Sequence, residues 1–227
     1  MDEKLLSVII PAYNAERYLE ETVLSVRKQR WEGNTELLLV NDGSADRTEE
    51  LAERLGCTVL NKEHAGAASA RNAGIRASNG AWILFLDADD TLHPDAVDEL
   101  YRPFLNDPTT AAVFGRALDH VSPELTPEQR SKLKKRDGSY GGILPGCSLI
   151  RRKVFDQIGL FDESLQSGET VEWMVRLRSS GLKTAEIEAV TLNRRLHPDA
   201  GRPDPVQQMR NYALILRKRM KKHESAC

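Results

Sequence analysis

Apolar runs of strand length recur along the first 90 residues, and each ends at a polar or turn-forming residue. Residues 5–10, 36–40 and 57–60 form three such runs, and residues 82–86 form a fourth, Trp-Ile-Leu-Phe-Leu. Runs this rich in apolar residues are typical of strands buried on both faces of a parallel sheet. Between them, apolar residues spaced three or four apart predict helices. The alternation predicts an α/β fold with a mostly parallel central sheet and helices on both faces.

Polar turns follow three of these strands, at residues 13–14, 41–42 and 87–89. Right-handed crossovers put the carboxyl ends of parallel strands along one edge of a sheet, and open α/β sheets bind their ligands there. We therefore expect the three turns to meet at a single crevice.

The third turn, Asp87-Ala88-Asp89, runs on into Asp90 and so carries three carboxylates within four residues. Burying all three charges would cost too much, so they must be exposed or neutralised by a cation. Two hard oxygen ligands separated by one residue suit Mg²⁺ or Mn²⁺ in complex with phosphates. The alternative is an acidic turn that caps the helix after Pro94.

Residues 64–74 are dominated by small side chains, and Arg71 is the one long cation among them. Small residues allow the start of a helix to approach a ligand closely, and Arg71 would then contact a diphosphate. In the alternative, the helix simply packs tightly on the sheet and Arg71 forms a surface ion pair.

Four motifs in this order and spacing resemble family 2 glycosyltransferases, which have the GT-A fold. They are residues 7–14, 39–44, 70–74 and 85–90. The resemblance implies a Rossmann-like, nucleotide-diphospho-sugar transferase fold. It also implies a nucleotide-sugar donor, commonly a UDP-sugar, and transfer with inversion of the anomeric centre.

Matched position by position, the resemblance assigns the nucleotide sugar to Pro11, Ala12, Tyr13, Asp42, Arg71, Asp87 and Ala88. Asp42 would accept the N–H of the base, and Asp87 would face the ribose. Asp89 would bind a divalent cation, Mn²⁺ or Mg²⁺, that bridges the diphosphate. His197 follows an arginine near the end of the last predicted strand and would be a further metal ligand.

The proton acceptor is where the chain departs from the family. The family carries a Glu-Asp pair whose aspartate removes the proton of the acceptor, and here the pair reads Glu169-Thr170. A threonine hydroxyl cannot be a general base near neutral pH. Glu169 is the first candidate for the role and Glu172, one turn further along, is the second. Otherwise the acceptor needs no carboxylate base, or the protein is inactive. A thiol acceptor would need less help from a base, because its thiolate is already partly present at pH 7.

We expect one GT-A domain over residues 1–200, with a nucleotide-sugar and metal half at 1–115 and an acceptor and catalytic half at 116–200. Residues 119–142 are polar and charged, which predicts either a surface loop with a short helix or a lid. Residues 201–227 would form a helical tail whose basic end could attach weakly to an anionic membrane.

The composition of the chain limits the classes of partner and the cellular location that we expect. A net charge of −2, with 40% hydrophobic and 29% charged residues, gives no reason to expect nucleic-acid binding. No apolar run approaches the ~20 residues that span a membrane, and the first residues lack the pattern of a signal peptide. Cys57, Cys147 and Cys227 have no metal-type spacing and predict reduced thiols. We expect a cytoplasmic protein, at most peripheral to the inner face of the membrane.

The sequence therefore predicts a metal-dependent, inverting glycosyltransferase whose acceptor is a glycan, a lipid-linked sugar, a peptide or a small molecule. A nucleotidyltransferase is a rival, but it would carry a glycine-rich, basic loop where this chain has Pro11-Ala12-Tyr13-Asn14. A nucleotide-sugar-binding protein without catalytic power is a second rival, motivated by Thr170.

Overall fold

The computed structural model describes residues 4–141, 144–165 and 167–198. Its first part alternates strands with helices, as the apolar runs predict. The elements are β1 (Leu6–Ala12), α1 (Leu19–Arg27), β2 (Thr35–Asn41), α2 (Thr48–Arg54), β3 (Thr58–Asn61), α3 (Ala67–Ala77) and β4 (Trp82–Phe85).

The second part is less regular and mixes short strands with helices. Its elements are β5 (Thr91–Leu92), α4 (Ala96–Asn106), β6 (Ala112–Val121), α5 (Pro127–Ser131), β7 (Ser139–Gly141), a 3-10 turn (Pro145–Cys147), β8 (Ser148–Arg151), α6 (Lys153–Ile158), α7 (Glu169–Ser179) and β9 (Thr184–Leu196).

Within the described residues, all nine strands join one sheet in the order β3-β2-β1-β4-β8-β6-β9-β5, with β7 added to β6. The first four strands are parallel, which confirms the α/β arrangement predicted for this part of the chain. Beyond β4 the sheet is mixed. Strand β8 runs antiparallel to both of its neighbours, and β9 is parallel to β6 but antiparallel to β5.

Both faces of the sheet are covered by helices. Along β1, Val8 and Ile10 belong to one core cluster and Ile9 to the other, because successive strand residues point to opposite faces. Helices α1, α2 and α4 cover the first face, and α3, α6 and α7 cover the second. Both faces of such a strand therefore favour apolar residues, which is the pattern of β1 apart from Ser7.

Residues 119–141 form a folded excursion that returns to the sheet as β7. The buried Asp119 carboxylate accepts hydrogen bonds from the Tyr140 hydroxyl and from the Arg136 backbone N–H, the latter at 3.1 Å. A capping box between Thr126 and Gln129 begins α5. The Tyr18 hydroxyl donates to Glu124 at 2.8 Å and ties the start of the excursion to α1. These bonds favour the folded surface segment over a free lid.

The predicted helical tail lies outside the described residues. In the ranges that are described, none of the helices has the length and apolar character needed to cross a bilayer.

Cys57 and Cys147 are buried and form no disulfide with each other, and burial raises the pKa of Cys147 to about 12.

Candidate functional site

A cavity of about 570 Å³ opens where strands β1, β2 and β4 end. The first turns of α3 and α7 and the end of β9 complete its walls. Ten of the eleven site residues predicted from the sequence line it: Pro11, Ala12, Tyr13, Asp42, Arg71, Asp87, Ala88, Asp89, Glu169 and His197. Glu172 does not. The expected meeting of the strand-end turns is confirmed.

Two of these turns are bonded directly to each other through Asn14. Its backbone is left-handed, with φ of 50°, a conformation that asparagine tolerates better than most residues. The Asn14 N–H donates to Ser44 Oγ at 2.9 Å, and Asn14 Oδ1 accepts from the Ala45 N–H at 2.8 Å. These bonds hold the turn after β1 against the turn after β2.

Asp42 is buried and its carboxylate is surrounded by donors from the segment that follows β3. Oδ1 accepts from the Lys62 ammonium and from the Ala65 N–H, and Oδ2 accepts from the Gly66 N–H at 2.8 Å. His64 Nδ1 donates to the Asp42 carbonyl at 3.0 Å and lies 2.9 Å from Oδ2. Gly66 is the residue before α3 and has φ of 89°, which favours glycine. Asp42 therefore shapes the entry to α3.

Arg71 bridges two carboxylates across the cavity. Its guanidinium donates to Asp87 at 2.8 Å and to Glu169 at 2.7 Å, and its side chain is only 6% exposed. Burial alone would lower the pKa of Arg71, but the two carboxylates outweigh it and raise that pKa. Arg71 Nε finds no hydrogen-bond partner among the described residues. The surface ion pair considered as an alternative is thus wrong, because the Arg71 side chain is buried.

Asp89 faces His197, which comes from the end of β9. Asp89 Oδ2 lies 3.0 Å from His197 Nε2, and the buried imidazole packs 4.7 Å from the Tyr18 ring. One carboxylate oxygen and one imidazole nitrogen on a cavity wall fit a divalent cation whose remaining ligands would be diphosphate and water. In the part of the chain that the structure describes, no group of three or more His, Cys, Asp or Glu side chains assembles a complete metal cage.

Asp90 and Arg195 fix the acidic turn through hydrogen bonds to each other and to its backbone. Asp90 is buried and accepts the Arg195 backbone N–H at 2.8 Å. Burial, together with the nearby Asp89 and Asp87, raises the pKa of Asp90 well above its usual range. The Arg195 guanidinium donates to the Asp89 carbonyl at 2.9 Å and also pairs with Glu21. Arg195 therefore orients the turn that carries Asp89.

In the first turn of α7, Glu169, Thr170 and Glu172 have different surroundings. Gly168, with φ of 82°, precedes the helix, and Glu169 faces the cavity with its side chain 13% exposed. Thr170 lines a separate small cavity together with Phe161 and Trp173, and its hydroxyl donates to Glu169 at 3.2 Å. Both carboxylate oxygens of Glu172 accept from Arg176 Nε at 2.9 Å, and Oε2 also pairs with a terminal nitrogen of that guanidinium at 2.8 Å.

Several lining residues were missed by the sequence reasoning, namely Tyr18, His64, Ser167, Arg194 and Arg195. The only sequence signal for Arg195 was its position two residues before His197. Nothing local distinguishes the others, whose places depend on how the start of α1, the segment after β3, the start of α7 and the end of β9 meet the cavity.

A family model for glycosyl transferase family 2 matches residues 7–159. A relative in Rickettsia prowazekii (strain Madrid E), named an uncharacterized glycosyltransferase, is 34% identical over 175 residues, or 71% of this chain and 55% of the relative. A chondroitin synthase of Pasteurella multocida (strain Pm70) is 38% identical over 209 residues, or 86% of this chain and 21% of that protein. The chain thus spans about half the length of the first relative and about a fifth of the second.

Solved structures with the same fold include S. aureus TarS 1-349 in complex with UDP-GlcNAc. It aligns with a TM-score of 0.69 at 21% identity, over 92% of this chain and 65% of that chain. GalNAc-T7 with UDP, GalNAc and Mn²⁺ aligns with a TM-score of 0.71 at 21% identity, over 93% of this chain and 47% of that chain. At this level of identity the likeness concerns the fold, which confirms the predicted GT-A architecture.

Proposed function

This chain belongs to glycosyl transferase family 2, and from that premise we propose that it transfers a sugar from a nucleotide diphosphate sugar, with a UDP-sugar as donor, to an acceptor nucleophile. The observation that carries the proposal is the convergence of the predicted donor residues on one cavity. Neighbours in the fold were solved with UDP, UDP-GlcNAc or Mn²⁺, which supports the choice of donor.

The donor would lie along the ends of β1, β2 and β4. Tyr13, which is 52% exposed, offers a ring face to the base, and Asp42 lies on the adjoining turn. Asp87 accepts hydrogen bonds and would take a ribose hydroxyl. Arg71, held between Asp87 and Glu169, would place its positive charge near the base or the phosphates of the donor.

Asp89 and His197 would hold a divalent cation against the diphosphate. When bound, that cation supplies positive charge to the leaving diphosphate. The chain itself prepares the site, because Arg195 bonds the Asp89 carbonyl and Tyr18 packs on the imidazole of His197.

Transfer would proceed by direct displacement with inversion. The acceptor oxygen forms its bond to the anomeric carbon as the bond from that carbon to the diphosphate breaks, and Glu169 takes the acceptor proton. Arg71 donates to Oε1 of Glu169 and so orients this carboxylate, and it joins Glu169 to Asp87 on the donor side of the cavity.

The test is Glu169→Gln, which keeps the shape of the side chain but removes its capacity to take a proton. We expect turnover of UDP-sugar, measured as UDP release with the acceptor, to fall by about 10²- to 10⁴-fold. UDP binding, measured by calorimetry, should persist. Glu172→Gln is the control, since Glu172 lies outside the cavity, and it should retain turnover. Undiminished turnover of Glu169→Gln would remove Glu169 from the mechanism.

A second candidate function is donor binding without transfer. Thr170 supports it, because a threonine stands where the family carries its aspartate and offers no carboxylate to an acceptor. Donor binding with no UDP release, for any acceptor class offered to the parent protein, would favour this function.

A further inference from the structure

The nucleobase end of the cavity is already occupied by the chain itself. A carboxylate has two oxygens and about four lone-pair sites, and three sites of Asp42 accept from the Lys62 ammonium and from the backbone N–H groups of Ala65 and Gly66. His64 Nδ1 lies against the fourth site, 2.9 Å from Oδ2. With His64 in this position, the Asp42 carboxylate is closed to the N–H of a base.

The ring face beside Asp42 is also covered. The imidazole of His64 lies 4.3 Å from the Tyr13 ring, centroid to centroid, with an angle of 34° between their planes. His64 Nδ1 contacts both the Asp42 carbonyl oxygen at 3.0 Å and Oδ2 at 2.9 Å. Both partners only accept, so Nδ1 carries the hydrogen. The His64 side chain thus occupies both places that a base would need, one beside the Asp42 carboxylate and one on the Tyr13 ring.

Of the four groups around the Asp42 carboxylate, His64 is the one that can leave most easily. The N–H groups of Ala65 and Gly66 belong to the backbone that begins α3. The Lys62 side chain is 20% exposed, whereas that of His64 is 56% exposed, so His64 can turn into solvent with little loss of packing. The N–H of the incoming base then takes the place of His64 Nδ1 beside Oδ2 of Asp42.

We infer that His64 is a displaceable occupant of the nucleobase subsite and controls which bases enter it. The inference rests on the proposed function, because it concerns the donor of that reaction. A base with an imide N–H, such as uracil, can replace His64 on both Asp42 and Tyr13. A base that presents only an acceptor there leaves His64 as the better partner of Asp42. The diphosphate alone makes neither contact and leaves His64 in place.

Two measurements on the whole protein test this inference. The first is the ¹H–¹⁵N spectrum of the imidazole of His64, recorded with Mg²⁺ and either UDP or inorganic pyrophosphate. We expect UDP to shift the Nδ1 signal from its hydrogen-bonded position, and pyrophosphate to leave it there. His64→Ala assigns the signal.

The second measurement is nucleotide affinity by calorimetry. His64→Ala should bind UDP about tenfold more tightly, the gain expected where the open subsite is about a tenth of the population. It should bind pyrophosphate as the parent does. His93→Ala is the control, because His93 is an exposed histidine outside the cavity.

UDP bound with the His64 signal unmoved, or weaker UDP binding by His64→Ala, would overturn the inference and leave the donor proposal standing. Absence of UDP binding in both the parent and His64→Ala would overturn the two together.

Discussion

Thr170 and Glu169 are neighbours on α7, yet their side chains have different surroundings. Thr170 lines a small cavity with Phe161 and Trp173, whereas Glu169 lines the main cavity and is held by Arg71. Of these two neighbours, only Glu169 therefore presents a carboxylate to the main cavity. Asp89 likewise depends on a distant residue, because the His197 imidazole faces it at 3.0 Å.

At the residue scale we predict that His197→Ala weakens the binding of the metal needed for turnover more than it lowers the stability of the fold. The concentration of Mn²⁺ needed for half-maximal UDP-sugar turnover should rise by about 10- to 100-fold, because Asp89 loses the imidazole that faces it. Metal titration of activity measures this change. His93→Ala should leave the titration where it is in the parent, and an unchanged titration for His197→Ala would exclude that histidine as a ligand.

At the element scale, α3 rests on β1 with almost no space between them. A Cβ added at Gly74 would lie 2.3 Å from Ile9 Cγ2, and Ile9 is fully buried in the centre of the sheet. The glycine is therefore what allows α3 to bring Arg71 to the cavity floor. The run of small residues in the sequence predicts this close packing, and the structure confirms it.

We predict that Gly74→Ala destabilises the protein, although alanine is normally the better helix residue. Forcing a methyl group into a filled core costs about 1 to 3 kcal/mol. Urea unfolding measures the loss of stability. The matched control is Gly141→Ala in β7, where an added Cβ has no neighbour within 4 Å, and it should change stability by less than about 1 kcal/mol. Equal effects of the two substitutions would contradict the packing argument.

A second element-scale contact joins β2 to the loop between α3 and β4. Glu36 Oε1 accepts from the Ser7 hydroxyl and from the Gly80 N–H at 3.0 Å, and Oε2 accepts from the Asn79 side chain at 3.2 Å. Burial alone would raise the pKa of Glu36, but these donors outweigh it and lower that pKa. Folding therefore favours the ionised carboxylate.

The pH dependence follows from this direction. The stabilisation by Glu36 is present above the ordinary value of 4.5 and is lost as pH falls through the lower pKa of the folded state. Glu36→Gln should therefore lower stability at neutral pH and flatten its decline in acid, as measured by urea unfolding between about pH 7 and about pH 3. Glu32→Gln, at a side chain that is 92% exposed, should retain the acid dependence of the parent.

At the scale of the whole molecule, the two halves predicted from the sequence, residues 1–115 and 116–200, interleave in one sheet. Strand β8 lies between β4 and β6, and β9 lies between β6 and β5. Strand β6 itself, Ala112–Val121, crosses the predicted boundary. Removing the second half would leave β4 without one of its neighbours in the middle of the sheet.

We therefore predict a single cooperative unfolding transition for the full chain, rather than one for each half. Trp82 reports on β4 and Trp173 reports on α7, where it is buried against Phe155. Trp173→Phe should still show coincident midpoints for tryptophan fluorescence and far-ultraviolet circular dichroism. Two separated transitions in either probe would show that the halves fold independently.

Local sequence already determined much of this protein. The apolar runs predict the four parallel strands, and the turns that follow three of them line one cavity. This is possible because adjacent residues determine both the burial of a strand and the turn after it, and because the handedness of the crossovers then leaves few arrangements. Tyr13, Asp87 and Asp89 could be placed at one edge on these grounds, whereas their roles toward a donor come only from the resemblance to the family.

Only the tertiary structure decided how these residues are paired. Arg71 bonds Glu169 across 98 positions of sequence, and Asp90 bonds Arg195 across 105. The mixed second half of the sheet and the groups that surround the Asp42 carboxylate could not be predicted from local sequence either. Such contacts depend on which distant strands become neighbours, and no period or motif of a short stretch of chain encodes that choice.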